Sequence, residues 1–302
     1  MPKTAFIFPG QGSQSVGMGK DLYETHPTAR QILDQADEVL GINLTQLCFS
    51  GPREELDLTI NTQPAILAVS YALFKLLNEK GIVPLMVAGH SLGEYSALLS
   101  VGSIAYPEAL KLVRRRAELM QEACAPGVGA MAALVGVERT TVVEICQNCS
   151  SAEVVEAVNF NCPGQIVIAG HKEAVQKAMD MAKAKGVKLV TMLPVSIPSH
   201  CSLMQEAGGK LKAYLETLNF RQPRIPLVTN VNAQVATKVE DLQDALVKQL
   251  SSPVYWEDSI QTMIKLGIDT FVEVGPGTVL SKLLKRIDRQ VTAETAGDLL
   301  AG

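Results

Sequence analysis

Short apolar runs and longer amphipathic stretches alternate along this chain. The runs Thr4 to Phe8 and Leu85 to Gly89 have the length and composition of buried strands. Between and after them, Gln63 to Asn78 and Pro107 to Cys124 carry apolar residues at the three- and four-residue spacing of helices. Alternating strands and helices predict an α/β protein with a largely parallel sheet.

The pattern changes at the loop Ala125 to Gly129. The following elements are predicted in the order strand, helix, strand, strand, helix, strand, which is the order of a ferredoxin-like unit. They span Ala130 to Val137, Thr140 to Cys149, Glu153 to Asn159, Gln165 to Gly170, Lys172 to Lys185 and Val187 to Leu193. We therefore expect a small domain, 127–196, inserted into a large α/β domain made of 1–126 and 197–302.

The α/β pattern resumes after the inserted unit. Predicted strands cover Leu227 to Asn230 and Thr270 to Val274, and predicted helices cover Val239 to Leu250, Asp258 to Leu266 and Thr278 to Ile287. The last residues, Thr292 to Gly302, carry a weak helical pattern that we expect to fray.

Composition narrows the classes of protein. The chain has 302 residues, 47% of them hydrophobic, and a formal net charge of -4. This charge gives no general attraction to nucleic acid, and no apolar run approaches the roughly 18 residues of a membrane span. The six cysteines are scattered, unlike the dense framework of a small secreted domain. A cytoplasmic protein with reduced thiols is expected, and a monomer is the default expectation.

The most specific motif is Gly89-His90-Ser91-Leu92-Gly93, a G-x-S-x-G between a predicted strand and a predicted helix. This sharp turn would lift the Ser91 hydroxyl to a helix N-terminus, where backbone N–H groups, that of Leu92 first, face a developing oxyanion. The alternative is an ordinary strand-helix turn with a capping serine. We predict that Ser91 is a nucleophile.

The base for Ser91 is found by elimination among four histidines. His90 adjoins the serine and would point away from it, whereas His26 and His171 fit surface or helix-capping positions. His200 lies at the junction between the inserted unit and the returning large unit, where clefts form. We predict His200 as the base. Its orienting partner is either a backbone carbonyl or a carboxylate.

One arginine of the run Arg114, Arg115 and Arg116 is predicted to be buried. At about 100° per residue, Arg116 falls on the apolar side of the predicted helix, whereas Arg114 and Arg115 fall on the polar side. A buried guanidinium needs an anionic partner and can hold a carboxylate through two hydrogen bonds. That partner is either an internal Asp or Glu or the carboxylate of a substrate.

Two other motifs are weak. The loop Gly10-Gln11-Gly12 follows a strand but lacks the third glycine of a dinucleotide fingerprint, and no Walker lysine follows. Gln11 suits a polar donor in a site better. Cys146-x-x-Cys149 has no second ligand pair, so structural cysteines are favoured over a metal site. No metal and no cofactor are expected.

Taken together, several stretches resemble those of the malonyl-CoA:acyl carrier protein transacylase family, the acyltransferases of dissociated bacterial fatty acid synthesis. The resemblance runs nearly end to end. The stretches are Phe8 to Gln14, Thr62 to Ala65, Gly89 to Glu94, Asn159 to Gln165, Pro198 to His200, Pro253 to Trp256 and Glu273 to Gly277. It implies a large α/β-hydrolase-like domain, an inserted ferredoxin-like domain and an active site between them.

The resemblance also implies a role for each site residue. Ser91 would be acylated with His200 as its base, and Arg116 would hold the malonyl carboxylate. Gln11 and the Leu92 backbone N–H would form the oxyanion hole, Gln249 would help to orient His200, and Gln63 and Asn161 would line the site. The segment Ser196-Ile197-Pro198-Ser199 is close to the pattern of discrete malonyl enzymes.

The implied reaction is a ping-pong transfer of malonyl from malonyl-CoA to the phosphopantetheine thiol of acyl carrier protein, for fatty acid elongation. A polyketide acyltransferase acting in trans would carry the same residues. Further alternatives are a serine thioesterase and a scaffold that only binds carrier protein. Because carrier proteins are usually acidic, exposed basic residues are either docking candidates or ordinary solvated side chains. They are Lys282, Lys285, Arg286 and Arg289, with Arg114 and Arg115.

Overall fold

The computed structural model describes residues 2–125, 127–150, 153–195 and 197–301. Its strands are β1 (Thr4–Phe8), β2 (Met86–Gly89), β3 (Gly129–Val135), β4 (Val155–Cys162), β5 (Gln165–His171), β6 (Leu189–Met192), β7 (Leu227–Val228), β8 (Val235–Ala236), β9 (Thr270–Glu273) and β10 (Thr292–Thr295). They form two separate sheets.

Helices cover most of the remaining described residues. They are α1 (Lys20–Thr25), α2 (Pro27–Leu40), α3 (Leu44–Ser50), α4 (Arg53–Leu56), α5 (Thr59–Glu79), α6 (Gly93–Ser100), α7 (Tyr106–Glu122), α8 (Arg139–Cys149), α9 (Lys172–Ala184), α10 (Gln205–Leu215), α11 (Val239–Gln249), α12 (Trp256–Lys265), α13 (Val279–Ile287) and α14 (Ala296–Ala301). A 3-10 turn, Ser202–Met204, precedes α10.

The larger sheet has six strands in the order β10-β9-β1-β2-β7-β8. All neighbours run parallel except β7 and β8, which form an antiparallel pair. Both faces are covered, since Phe6 and Phe8 of β1 pack in one apolar core and Ala5 and Ile7 in another. Alternate residues of a strand point to opposite faces, so a strand covered on both sides reads as a continuous apolar run.

The smaller sheet is antiparallel, with four strands in the order β4-β5-β3-β6. Helices α8 and α9 pack against one face of this sheet, and the residues between them form a separate apolar core. Met131, Val158, Val167 and Ala169 form a second cluster with Cys201. Backbone hydrogen bonds from Phe160 N to Val254 O and from Val254 N to Val158 O, 2.9 and 2.8 Å, tie β4 to the segment before α12.

Most predicted elements appear within a few residues of their expected bounds, and the mixed α/β class with a mostly parallel sheet is confirmed. The C-terminal prediction is partly wrong. Residues 292–295 form β10 beside β9 and only 296–301 are helical, because sheet pairing overrides the weak local pattern. The predicted boundary residues 126 and 196 lie outside the described residues. Within the described ranges, no helix has the length and apolarity to cross a bilayer.

Candidate active site

The turn that carries Ser91 lies between β2 and α6, as predicted. Ser91 has φ 53, in the left-handed region that side chains rarely adopt. Close packing forces this turn: a Cβ added to Gly89 would lie 1.9 Å from the Gly93 carbonyl carbon, and one added to Gly93 would lie 2.0 Å from the Phe8 oxygen. The two glycines of the motif therefore let β1, β2 and α6 approach each other, and the half-buried serine lies at the end of the sheet, where it lines the cleft.

His200 is the partner of Ser91. Its Nε2 lies 2.7 Å from Ser91 Oγ, and its Nδ1 lies 2.6 Å from the backbone oxygen of Gln249. The carbonyl accepts a hydrogen bond from Nδ1–H, which leaves the lone pair of Nε2 free to accept the serine proton. Burial, and then the positive charge of Arg116, lower the pKa of His200 to about 3. The imidazole is therefore neutral near pH 7, the state that a general base requires.

Arg116 is buried, with 1% of its surface exposed, as its position on the helix predicted. Its Nη1 donates to Gln63 Oε1 at 2.8 Å, and its Nη2 donates to Gln249 Oε1 at 2.9 Å and to Ser91 Oγ at 3.3 Å. Burial lowers the pKa of the guanidinium. In the described part of the chain, its Nε has no hydrogen-bond partner and no carboxylate pairs with it directly. A buried cation thus lies beside the nucleophile with neutral amides as its neighbours.

The other predicted residues take different places around this centre. Gln249 Nε2 donates to Ser91 O at 2.9 Å. Gln63 is fully buried behind Arg116 and does not reach the cleft wall. The side chain of Gln11 donates to Thr59 Oγ1 at 3.1 Å, and Gln11 and Leu92 both line the cleft. His90 turns away from the serine, as expected, and its Nε2 lies 2.8 Å from Asn161 Oδ1.

Two buried polar residues were not predicted. Asn230 Oδ1 accepts the Ser91 N–H at 2.7 Å, and its Nδ2 donates to Gly89 O at 2.6 Å. Glu94 on α6 accepts from Asn230 N at 3.2 Å and from the side-chain amide of Gln249. Burial raises the pKa of Glu94 to about 7, against the opposing effect of these hydrogen bonds. The sequence signal was available: Glu94 is the charged residue of an otherwise uncharged helix, and Asn230 follows a buried strand.

A cleft of about 560 Å³ opens onto Ser91, Arg116 and His200. One wall carries Gln11, Ser91, Leu92, Arg116 and His200, and the opposite wall belongs to the smaller sheet. The residues of that sheet at the cleft are Met131, Ala133, Asn159, Asn161, Gln165 and Val167. A nucleophile, a neutral base and a buried cation at the bottom of a cleft can form and hold a carboxylated acyl group.

Comparison with known proteins gives one consistent result. The family model described as "Acyl transferase domain" matches residues 5–299. A malonyl CoA-acyl carrier protein transacylase of Escherichia coli (strain K12) is 45% identical over 99% of this chain and 97% of its own length.

Solved structures agree. An acyl carrier protein S-malonyltransferase from Vibrio cholerae has a TM-score of 0.95 and 44% identity over 97% of this chain and 96% of that one. A malonyl-transacylase solved in complex with a type II PKS acyl-carrier protein also has a TM-score of 0.95 and 44% identity, over 97% and 95% of the two chains.

Proposed function

This chain belongs to the acyl transferase domain family, and on that premise we propose that it moves a malonyl group from malonyl-CoA to the phosphopantetheine thiol of acyl carrier protein. The observation that carries the proposal is that Ser91 Oγ lies 2.7 Å from His200 Nε2 and 3.3 Å from Arg116 Nη2. Malonyl thioester has a reactive carbonyl and a carboxylate separated by one methylene. Ser91, with His200 as its base, can attack the carbonyl while Arg116 binds the carboxylate.

In the first half-reaction, His200 Nε2 takes the proton of Ser91 as the oxygen attacks the thioester carbonyl. The tetrahedral oxyanion is held by the Leu92 N–H, at the start of α6, and by Gln11. Collapse breaks the carbon–sulfur bond, and coenzyme A leaves with the proton from His200. In the second half-reaction the carrier-protein thiol gives its proton to His200 and attacks malonyl-Ser91. The bond between the malonyl carbonyl and Ser91 Oγ then breaks, and Ser91 takes the proton back from His200.

Arg116 supplies the selectivity of the proposed reaction. The substrate carboxylate would pair with the guanidinium, whose present partners are the amides of Gln63 and Gln249 and the Ser91 hydroxyl. An acetyl group would leave this cation without an anionic partner, and a buried charge in that state is costly. Gln63 and Gln249 would hold the guanidinium in place, and Asn161 would line the acyl site. Because one thioester is exchanged for another, the reaction needs no metal or cofactor.

We also propose finer features of the architecture and setting. The strand order and the helices on one face of the smaller sheet support a ferredoxin-like domain at 127–196. The turn at Ser91 at the end of a parallel strand supports an α/β-hydrolase-like domain made of 1–126 and 197–302. We expect a monomer that works in the cytoplasm for fatty acid elongation, with the exposed face of α13, which carries Lys282 and Lys285, as a docking candidate for carrier protein.

Two alternatives make different predictions. The structural match to a malonyl-transacylase in complex with a type II PKS acyl-carrier protein favours polyketide supply in trans as the second candidate. Transfer rates to carrier proteins of the two pathways separate these candidates. A serine thioesterase would release the acyl group to water, whereas a cleft closed by a second sheet protects the acyl-serine.

The test is intact-protein mass spectrometry after mixing with equal malonyl-CoA and acetyl-CoA. Wild type should carry a persistent malonyl adduct that is absent from Ser91→Ala, and carrier protein should discharge it. Hydrolysis of both thioesters without an adduct would favour the thioesterase. If neither an adduct nor hydrolysis is observed, the proposed activity is ruled out.

A further inference from the structure

A side-chain amide from a distant part of the chain holds the backbone on both sides of the nucleophile. Asn230 Oδ1 accepts the Ser91 N–H at 2.7 Å, across 139 positions of sequence, and Asn230 Nδ2 donates to Gly89 O at 2.6 Å. Asn230 therefore bonds to the residue before His90 and to the residue after it. This pair of bonds fixes the orientation of the peptide groups that lead into Ser91.

The turn that Asn230 holds is strained. Ser91 has φ 53, a value that side chains adopt rarely and retain only where the surroundings enforce it. The direction of the Ser91 Cα–Cβ bond, and so the position of Oγ relative to His200, follows from this backbone conformation. A bond to the N–H of the strained residue itself is well placed to enforce it.

Every polar group of Asn230, in the side chain and in the backbone, has a hydrogen-bond partner. It is fully buried, its own N–H donates to Glu94 Oε1 at 3.2 Å, and its carbonyl accepts from Tyr255 N at 2.9 Å. It lies just beyond β7, which pairs with β2, so sheet register brings it beside the turn. The amide is thus built into the frame and is not a side chain that swings onto the turn.

We propose that Asn230 is a positioning residue for the nucleophile, which sets the rate of Ser91 acylation and leaves the binding of the thioester unchanged. The bond from Ser91 N–H also has a consequence for the oxyanion. Because this N–H is engaged, the Leu92 N–H, and not that of Ser91, faces the reacting carbonyl. The inference rests on the proposed acylation of Ser91.

The experiment measures single-turnover acylation by malonyl-CoA in Asn230→Ala and Asn230→Asp. Asp keeps an oxygen that accepts the Ser91 N–H but replaces the donor to Gly89 O by a second oxygen. In both variants we expect the maximal acylation rate to fall about 100-fold, the order expected when reacting atoms are misplaced by about an ångström. The Kd for malonyl-CoA, measured with Ser91→Ala alone and combined with Asn230→Ala, should change less than about threefold.

A pH series separates positioning from general destabilisation. Protonated Asp at position 230 can donate to Gly89 O again, so the ratio of the Asn230→Asp rate to the wild-type rate should rise as the pH falls. Arg116 and His200 lie beyond Gln249 and are present in both proteins, so the ratio removes their own titration to first order. Glu94 contacts position 230 directly, so the new carboxyl group and Glu94 titrate as a pair, and the rise in the ratio reports protonation of that pair. The Asn230→Ala ratio should stay flat, because alanine has no proton to gain.

Thr229→Val is the matched control. Thr229 is buried next to Asn230, and its hydroxyl donates to Asn232 Oδ1 at 2.6 Å, away from the turn. It should lower the thermal midpoint without slowing acylation. Acylation at the wild-type rate in a folded Asn230 variant, or equal slowing by Thr229→Val, would overturn the inference. If wild type itself forms no malonyl-Ser91, the proposed function fails first, and that result is read before any variant.

Discussion

The two walls of the cleft differ in how their residues are held. On the catalytic wall, Ser91, His200 and Arg116 are joined to one another and to Gln249 by hydrogen bonds of 2.6 to 3.3 Å. Among the described residues, the wall formed by the smaller sheet has no such network around a reacting group, and its apolar residues Met131, Ala133 and Val167 alternate with polar ones at the cleft. Polar contact there includes the bond between Asn161 and His90.

This difference separates two tasks. Hydrogen-bonded groups with several partners have one geometry, so their substitution changes the energy of the transition state. The apolar residues of the smaller-sheet wall contribute shape and exclude water, so a change in their volume alters the fit of the substrate and not the reacting groups. We therefore expect substitutions on the catalytic wall to act on rate constants and substitutions on the smaller sheet to act on KM.

The largest expected effect comes from removing His200, the proposed base. His200→Ala should lower the rate of Ser91 acylation by about 10²- to 10⁴-fold, the usual contribution of a positioned base. The thioester should still bind, so KM should change little. Stopped-flow release of coenzyme A measures the rate. His171→Ala is the control, because His171 caps α9 in the smaller-sheet unit and its Nδ1 bonds to Val154 N. Loss of less than tenfold in His200→Ala would contradict the assignment.

Arg116→Ala should affect one substrate more than another. Malonyl transfer should fall about 100-fold, as expected when a charge-assisted hydrogen bond worth about 3 kcal/mol is lost. Acetyl transfer should fall much less, because acetyl has no carboxylate to pair. The ratio of kcat/KM for the two thioesters is the readout. Arg115→Ala is the control, because it removes the same charge from the neighbouring position of the helix. Arg115 pairs with Glu118 and Glu122 on the helix surface, so the ratio of kcat/KM values should not change. Equal loss for both thioesters would remove the carboxylate role.

A substitution on the smaller sheet should have a smaller effect of another kind. Val167→Ala removes apolar surface from the cleft and should raise KM for malonyl-CoA about threefold to tenfold, equivalent to about 1 kcal/mol. The value of kcat should stay within about twofold. Val175→Ala is the control. Val175 lies on the buried face of α9, in the other core of this unit, so the substitution should cost stability without changing KM. A fall in kcat with unchanged KM in Val167→Ala would mean that this wall also positions reacting groups.

The sequence was most informative where chemistry depends on local pattern. Short stretches of sequence were enough to predict the turn at Ser91 and the buried position of Arg116 on α7. His200 was predicted by elimination, because the chain has only four histidines. Asn230 and Glu94 were not predicted, because their bonds join residues 139, 136 and 155 positions apart. The sheet order brings these distant residues together, and the sheet order cannot be read from a sequence whose strand pairings are unknown. Strand β10 was missed for the same reason, since its partner β9 decides its conformation.

The smallest expected effect concerns stability and pH. Burial raises the pKa of Glu94 from 4.5 to about 7, so between these values the folded protein binds a proton that the unfolded chain releases. The free energy of unfolding contributed by Glu94 therefore falls as the pH rises through this window. His200 acts in the opposite direction, because its folded pKa of about 3 lies below the 6.5 of an unperturbed histidine.

Glu94→Gln isolates the contribution of the carboxyl group. His200 is present in both proteins, so its titration cancels in the difference between their free energies of unfolding. Relative to wild type, the variant should become more stable as the pH rises from about 4.5 to 7 and should change no further above that range. Urea denaturation at several pH values measures this difference. Glu173→Gln, at an exposed position on α9, removes a charge from the smaller-sheet unit and gives the baseline for comparison. A Glu94→Gln difference that followed the Glu173→Gln difference at every pH would mean that the buried carboxyl group is not titrating in this range, and that the catalytic wall is no more sensitive to pH than the wall opposite.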